Sequence, residues 1–275
     1  MGSLIEQPPV VGPAWLGRHR HEVVVADVRW YLDGRSGAEA YRSGHIAGAV
    51  FVDLDHCLAG PPSAEAGRHP LPAADDFARA MSGLGIGDTT RVVAYDDAGG
   101  TIAARMTWML RATGHSASIL DGGIQSWPGA LETGPGPVAE PSEFHLDRWP
   151  TERLASADDV VGGGPIIDAR APQRYRGEVE PVDQRAGHIP GAVNAPTAAN
   201  LDERGWFKPA EVLRARYADL GAGPGSAPIV YCGSGVTACH DLIALEVAGY
   251  EGGRLYPGSW SQWSADPARP VQMGD

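Results

Sequence analysis

The chain has 275 residues, 43% of them hydrophobic, and 22 Lys+Arg against 34 Asp+Glu give a formal net charge of −12. This size suits two domains with ample core, no apolar run approaches the roughly 20 residues of a membrane-spanning helix, and the acidic balance argues against nucleic acid and anionic membrane surfaces as partners. Three cysteines are too few for a disulfide framework, and the start at residues 1–9 shows no basic stretch ahead of an apolar one, so a cytoplasmic protein is expected.

In chain order, residues 23–29 (Val-Val-Val-Ala-Asp-Val-Arg) read as a buried strand and lead to Gly44-His45-Ile46-Ala47-Gly48-Ala49-Val50. A helical pattern covers residues 75–84, an apolar strand runs over 92–96 and ends on Asp96, and a second helix covers 103–112 with Gly114 after it. Gly122 and Trp127 close this half. Residues 133–141 (Thr-Gly-Pro-Gly-Pro-Val-Ala-Glu-Pro) are too rich in Gly and Pro for a helix or central strand and read as a linker.

The order then repeats. Ile166-Ile167-Asp168-Ala169-Arg170 leads to Gly187-His188-Ile189-Pro190-Gly191-Ala192-Val193, a helix is expected over 209–220, and the strand at 228–231 ends on Cys232. A helix from Thr237 through Val247 precedes Gly249, and Gly258 and Trp263 close the half. Asp96 stands 31 positions before Trp127, and Cys232 stands 31 positions before Trp263. The second half therefore carries a cysteine where the first carries an aspartate. Short strands alternating with helices imply mostly parallel sheets flanked by helices, an α/β class in which ligands bind beyond the carboxyl ends of the strands.

The run Cys232-Gly233-Ser234-Gly235-Val236-Thr237-Ala238 sits at such an end. Small residues let backbone amides curl around the sulfur as an anion nest, and the following helix directs its positive end to the same place. Both favour the thiolate, the nucleophilic form. A Cys-x5-Arg phosphatase needs a guanidinium where this chain has Ala238. No protease-like signature surrounds Cys232, and no Cys-x-x-Cys pair is present. Sulfur transfer through a cysteine persulfide remains.

The tandem order, the His-Ile-Pro-Gly-Ala-Val segment, the Cys232–Ala238 loop and the closing Gly258-Ser259-Trp260 resemble the two-domain rhodanese superfamily over roughly residues 23–263. The resemblance implies two tandem rhodanese-like domains, each a mostly parallel sheet flanked by helices: residues 1–135, catalytically silent; a linker at 136–150; and residues 151–275, which carry the nucleophile. It further implies that Gly233, Ser234, Gly235, Val236, Thr237 and Ala238 hold the persulfide. Thiosulfate-type members typically place Arg-Lys after the cysteine, whereas mercaptopyruvate-type members place Gly-Ser, as Gly233-Ser234 do here. A 3-mercaptopyruvate donor is therefore favoured. Thiosulfate is the runner-up, and a persulfide carrier or regulatory module with little turnover is a reading of a different class.

By the same resemblance Arg174, before an aromatic, binds the donor carboxylate through parallel hydrogen bonds. Arg185, in the loop before Gly187, is the candidate second arginine, although the loop spacing departs from the family pattern. His45 is the candidate histidine of a proton relay with Ser234, with Asp33 as its supporting acid; the alternative is a structural role shared with His188. Cys57 and Cys239 read as ordinary buried cysteines, Trp127 and Trp263 as core residues, and Trp260 as core or site lining. No zinc-ligand spacing, Walker lysine or Rossmann fingerprint occurs, so neither metal nor nucleotide cofactor is expected. The implied partners are a small-molecule sulfur donor and a thiophilic acceptor: cyanide, a thiol or a thioredoxin-like reductant.

Overall fold

The computed structural model of the chain describes residues 7–223 and 225–275. The expectation of a leaderless start falls mostly on residues 1–6, outside the described residues. Backbone contacts divide the chain into two units: Met1–Ala59, Pro72–Trp149 and Glu203–Phe207 form one, and Gly60–Leu71, Pro150–Asp202 and Lys208–Asp275 the other. The division is not a single cut. The 60–71 stretch comes from the first half of the sequence and belongs to the second unit.

In the first unit the strands are β1 (Val10–Val11), β2 (Val23–Asp27), β3 (His45–Ile46), β4 (Val50–Phe51), β5 (Arg91–Tyr95), β6 (Ala117–Leu120) and β7 (Leu131–Glu132). The helices are α1 (Pro13–His19), α2 (Gly37–Ser43), α3 (Ala74–Gly83) and α4 (Ala103–Ala112). Five strands form a parallel sheet in the order β1-β6-β5-β2-β4, and β3 pairs antiparallel with β7. Central β5 is apolar and buried after its first residue, as expected of a strand covered on both faces. In α3, Phe77 and Met81 are one turn apart and bury together.

The second unit contains β8 (Ile166–Asp168), β9 (Val193–Asn194), β10 (Ile229–Tyr231) and β11 (Arg254–Leu255), with α5 (Ala157–Val161), α6 (Pro172–Tyr175), α7 (Ala210–Asp219), α8 (Ala238–Val247) and α9 (Ser259–Ala265). Its sheet is parallel in the order β11-β10-β8-β9. That is the order β6-β5-β2-β4 of the first unit, strand for strand. Trp260, Trp263, Tyr231 and Tyr256 are among the side chains that fill its core.

The repeated sequence words have repeated physical causes. Asp27 pairs with Arg29 at 2.6 Å, and Asp168 with Arg170 at 2.6 Å; Arg29 also donates to the Gly44 carbonyl and Arg170 to that of Gly187, each at 2.7 Å. Tyr95 and Tyr231 accept the amides of Ile46 and Ile189. Tyr41 and Tyr175 donate to the carbonyls of Ala49 and Ala192. His45 stacks on Tyr41 with Nδ1 2.9 Å from the Tyr41 carbonyl; His188 stacks on Tyr175 with Nδ1 2.8 Å from that of Tyr175. Each Gly-His-Ile word is thus a buried polar tie between a helix end and the sheet. Among the described residues, no helix is long and apolar enough to cross a membrane.

Candidate active site

Cys232 follows β10 at the carboxyl end of the sheet and is 2% exposed. Its backbone is held from both sides: its amide donates to Ser259 Oγ at 3.2 Å, and its carbonyl accepts from the Trp260 amide at 3.0 Å. The Ser261 amide donates to the Gly233 carbonyl at 2.8 Å. The Gly235 amide donates to Cys232 Sγ at 3.1 Å. Gly235 has φ 77°, and a Cβ there would lie 2.5 Å from the Pro257 carbonyl oxygen, so only glycine fits this turn. Helix α8 begins at Ala238, with its amino end at the loop.

The first unit carries the same loop around Asp96. Its carboxylate accepts the amides of Ala98, Gly100, Ile102 and Ala103 at 2.8–2.9 Å. Full burial pushes this carboxyl above its ordinary value, against the pull of those four bonds. The loop backbone is therefore an anion cradle, filled in the first unit by the protein's own side chain. The corresponding positions in the second unit are Ser234, Val236, Ala238 and Cys239. There the Cys239 amide bonds to the Val236 carbonyl at 3.1 Å instead.

Beside the loop lies a chain of alternating charges. Arg170 reaches Glu180 at 3.4 Å, Glu180 accepts from Arg174 at 2.6 Å, Arg174 reaches Asp183 at 3.1 Å, and Asp183 accepts from Arg68 at 2.6 Å. Burial raises the Glu180 carboxyl, but the Arg174 bond and the amides of Asp183 and Val182 outweigh it and hold the group below its ordinary value. Two guanidinium nitrogens point back at the loop: a Cβ on Gly233 would lie 3.2 Å from Arg68 Nη2 and 3.4 Å from Arg174 Nη1. Gly233 leaves room for two guanidinium groups over the loop. On the loop itself, His69 Nδ1 lies 2.8 Å from Ser234 Oγ.

The expected Cys232, Ser234, loop residues and Arg174 thus meet in the second unit. Other candidates lie elsewhere. Arg185 does not face the loop: its guanidinium donates to the carbonyls of Ser264, Arg269, Trp263 and Asp266, four bonds that lock it as a brace. The His45 ring is the buried tie to Tyr41, equivalent to that of His188 to Tyr175, and the histidine at Ser234 is His69. Asp33, its suggested acid, is exposed and paired with Arg35. Trp260 is a core residue, fully buried, under Arg170 and donating from Nε1 to the Arg185 carbonyl. Cys239 is buried, whereas Cys57 is only partly so. Arg68 and His69 escaped the sequence reading. They lie in a Pro- and Gly-rich stretch without helical or strand pattern, in the half of the sequence that lacks Cys232. The adjacent Arg-His pair was the available signal. Among the described residues, no cluster of His, Cys, Asp and Glu could hold a metal ion.

Two parallel sheets of one strand order, one followed by a cysteine whose sulfur accepts a loop amide and the other by a buried aspartate that accepts four, define a tandem α/β protein. The rhodanese-like domain matches residues 13–130 and again 151–266, and the chain belongs to that family. It is 42% identical over 260 residues to SseB of Mycobacterium tuberculosis, named provisionally a thiosulfate sulfurtransferase, covering 92% of this chain and 91% of the other. It is also 42% identical over 266 residues to a Pseudomonas aeruginosa protein named provisionally a 3-mercaptopyruvate sulfurtransferase, covering 92% and 93%. The crystal structure of SseA from Escherichia coli, described as a 3-mercaptopyruvate sulfotransferase of rhodanese fold, superposes with a TM-score of 0.80 at 34% identity, over 93% of this chain and all of that one.

Proposed function

We propose that the protein is a sulfurtransferase that takes the sulfur of 3-mercaptopyruvate onto Cys232 and passes it to a thiophilic acceptor. The observation that carries this reading is the convergence of Arg68 Nη2 and Arg174 Nη1 over Gly233, beside Cys232. Two planar guanidinium groups can hold an α-keto acid carboxylate while its thiol sulfur meets Cys232 Sγ. The Cys232 thiolate attacks that sulfur, an S–S bond forms, the C–S bond breaks, and its electron pair leaves with carbon as the enolate of pyruvate. Ser234 Oγ, held by His69, is the group we assign to deliver the proton that converts enolate to pyruvate. The persulfide rests in the cradle built from the amides of residues 234–238.

Similarity does not choose the donor, because equally identical relatives carry both names. The charges favour mercaptopyruvate. Arg68 and Arg174 share Asp183, and Arg174 is also bonded to Glu180, so the pair keeps little uncompensated charge for a dianion such as thiosulfate. A single carboxylate suits it better. Cyanide, which leaves as thiocyanate, or the dithiol of a thioredoxin-like protein then regenerates the Cys232 thiolate. Three free thiols suit a reducing cytoplasm.

Incubation with each donor, followed by intact mass and turnover with cyanide or a dithiol, tests the reading. A one-sulfur gain on Cys232, absent in Cys232→Ser and faster from mercaptopyruvate, is expected. Faster loading from thiosulfate overturns the donor, loading without turnover points to a carrier, and activity retained in Cys232→Ser overturns the site.

A further inference from the structure

Ser259 is the one non-glycine residue, among those described, whose backbone lies in the left-handed region, at φ 52°. A residue with a Cβ is strained there and persists only where its surroundings fix it. The equivalent position in the first unit is Gly123, at φ 60°. Both turns serve one purpose: the Ile124 amide donates to the Asp96 carbonyl at 3.0 Å, and the Trp260 amide to the Cys232 carbonyl at 3.0 Å. Glycine therefore meets the geometric need without strain. The serine contributes something glycine lacks, which is its hydroxyl.

That hydroxyl is fully buried; it donates to the Tyr256 carbonyl at 2.9 Å and accepts the Cys232 amide at 3.2 Å. Resting on the reading of Cys232 as nucleophile, we propose that Ser259 is a positioning residue: its hydroxyl fixes the Cys232 backbone at the strand end so that Sγ meets the Gly235 amide, and the left-handed strain is tolerated for that bond. With the Trp260 bond on the carbonyl side, both backbone polar groups of Cys232 are then held by one turn, and only its side chain is left to the reaction.

Two variants separate positioning from stability. Ser259→Gly removes hydroxyl and strain together; Ser259→Ala removes the hydroxyl and keeps the strain. The measurements are Tm, the pH profile of Cys232 alkylation by a small haloacetamide, and the rate of persulfide loading by intact mass. We expect the glycine variant to melt several degrees above the alanine variant. Both are expected to load sulfur at least tenfold more slowly than the unsubstituted protein, with the midpoint of alkylation moved to higher pH. A glycine variant that loads and alkylates like the unsubstituted protein overturns the proposal, as do rates that simply follow Tm. If the alanine variant fails to fold, the glycine variant decides alone. Alkylation reports on the sulfur whether or not any donor loads it, so failure of the sulfur-transfer reading leaves this test standing.

Discussion

His69 Nδ1 lies 2.8 Å from Ser234 Oγ, across 165 positions of sequence. The bond ties the 60–71 stretch to the third residue of the cysteine loop, within the unit that holds Cys232. Because the two side chains are in contact, their effects on turnover should not add. His69→Asn and Ser234→Ala are each expected to lower kcat with mercaptopyruvate about 10²-fold, the usual scale of one proton-transfer group. The double variant should be scarcely worse than either single one. A double-mutant cycle on kcat checks this, and full additivity would show that the pair is not a unit.

The two arginines at Gly233 and the arginine braced by carbonyls should part company in kinetics. Arg174→Lys and Arg68→Lys keep the charge but lose the planar fork, so each should raise KM for mercaptopyruvate about tenfold or more with a smaller change in kcat. Arg185→Ala should leave KM unchanged and destabilise the fold by on the order of 2–3 kcal/mol, because it strips a charged donor from four carbonyls. Steady-state kinetics beside chemical denaturation reads both. A KM effect at Arg185 without loss of stability would return it to the binding site.

The fold and the place of the cysteine loop at a strand end were legible because they are local patterns. Apolar runs ending on Asp96 and Cys232, and equal distances to Trp127 and Trp263, follow from strand, loop and helix lengths that one architecture imposes twice. The partners of the loop were not legible, because they depend on which surfaces the chain brings together. Arg185 and Arg68 are both arginines in loops; only the four carbonyls bonded to one and the approach of the other to Gly233 tell them apart. His45 misled for the converse reason. Its conspicuous Gly-His-Ile word is a structural tie present in both units, whereas His69 belongs to no repeated word and is marked only by its neighbour Arg68.

Asp96 should be necessary to the stability of the first unit. Asp96→Asn places an NH2 group where the carboxylate accepts four amides, so at least one buried donor faces another donor. A loss of about 1–3 kcal/mol is expected, the usual penalty of an unsatisfied buried polar group. Persulfide formation at Cys232 should be intact in the molecules that remain folded. Denaturant melts together with intact-mass loading check it; an unchanged midpoint would mean that the cradle tolerates a neutral occupant.

Asp241, buried in α8 six residues after the loop serine's neighbour Gly235, should make stability fall as pH rises toward neutrality. Burial pushes its carboxyl from the ordinary 3.8 up to about 7, opposed by Arg216, Asn200 and Tyr217. Its position is fixed by Asn200, which donates to it at 2.6 Å and in turn accepts from Tyr217 at 3.0 Å. Between these two values the folded chain keeps a proton that the unfolded chain releases. Stability from this group is therefore complete below the unfolded value, falls as pH rises toward 7, and is level above it. Asp241→Asn removes the titration and preserves the acceptor facing Asn200. The Tm of the variant minus that of the unsubstituted protein should accordingly increase from pH 5 to pH 8, by several degrees. Calorimetry across that range tests the sign: a difference that is flat, or that shrinks as pH rises, would mean that Asp241 is ionised throughout and held by its partners.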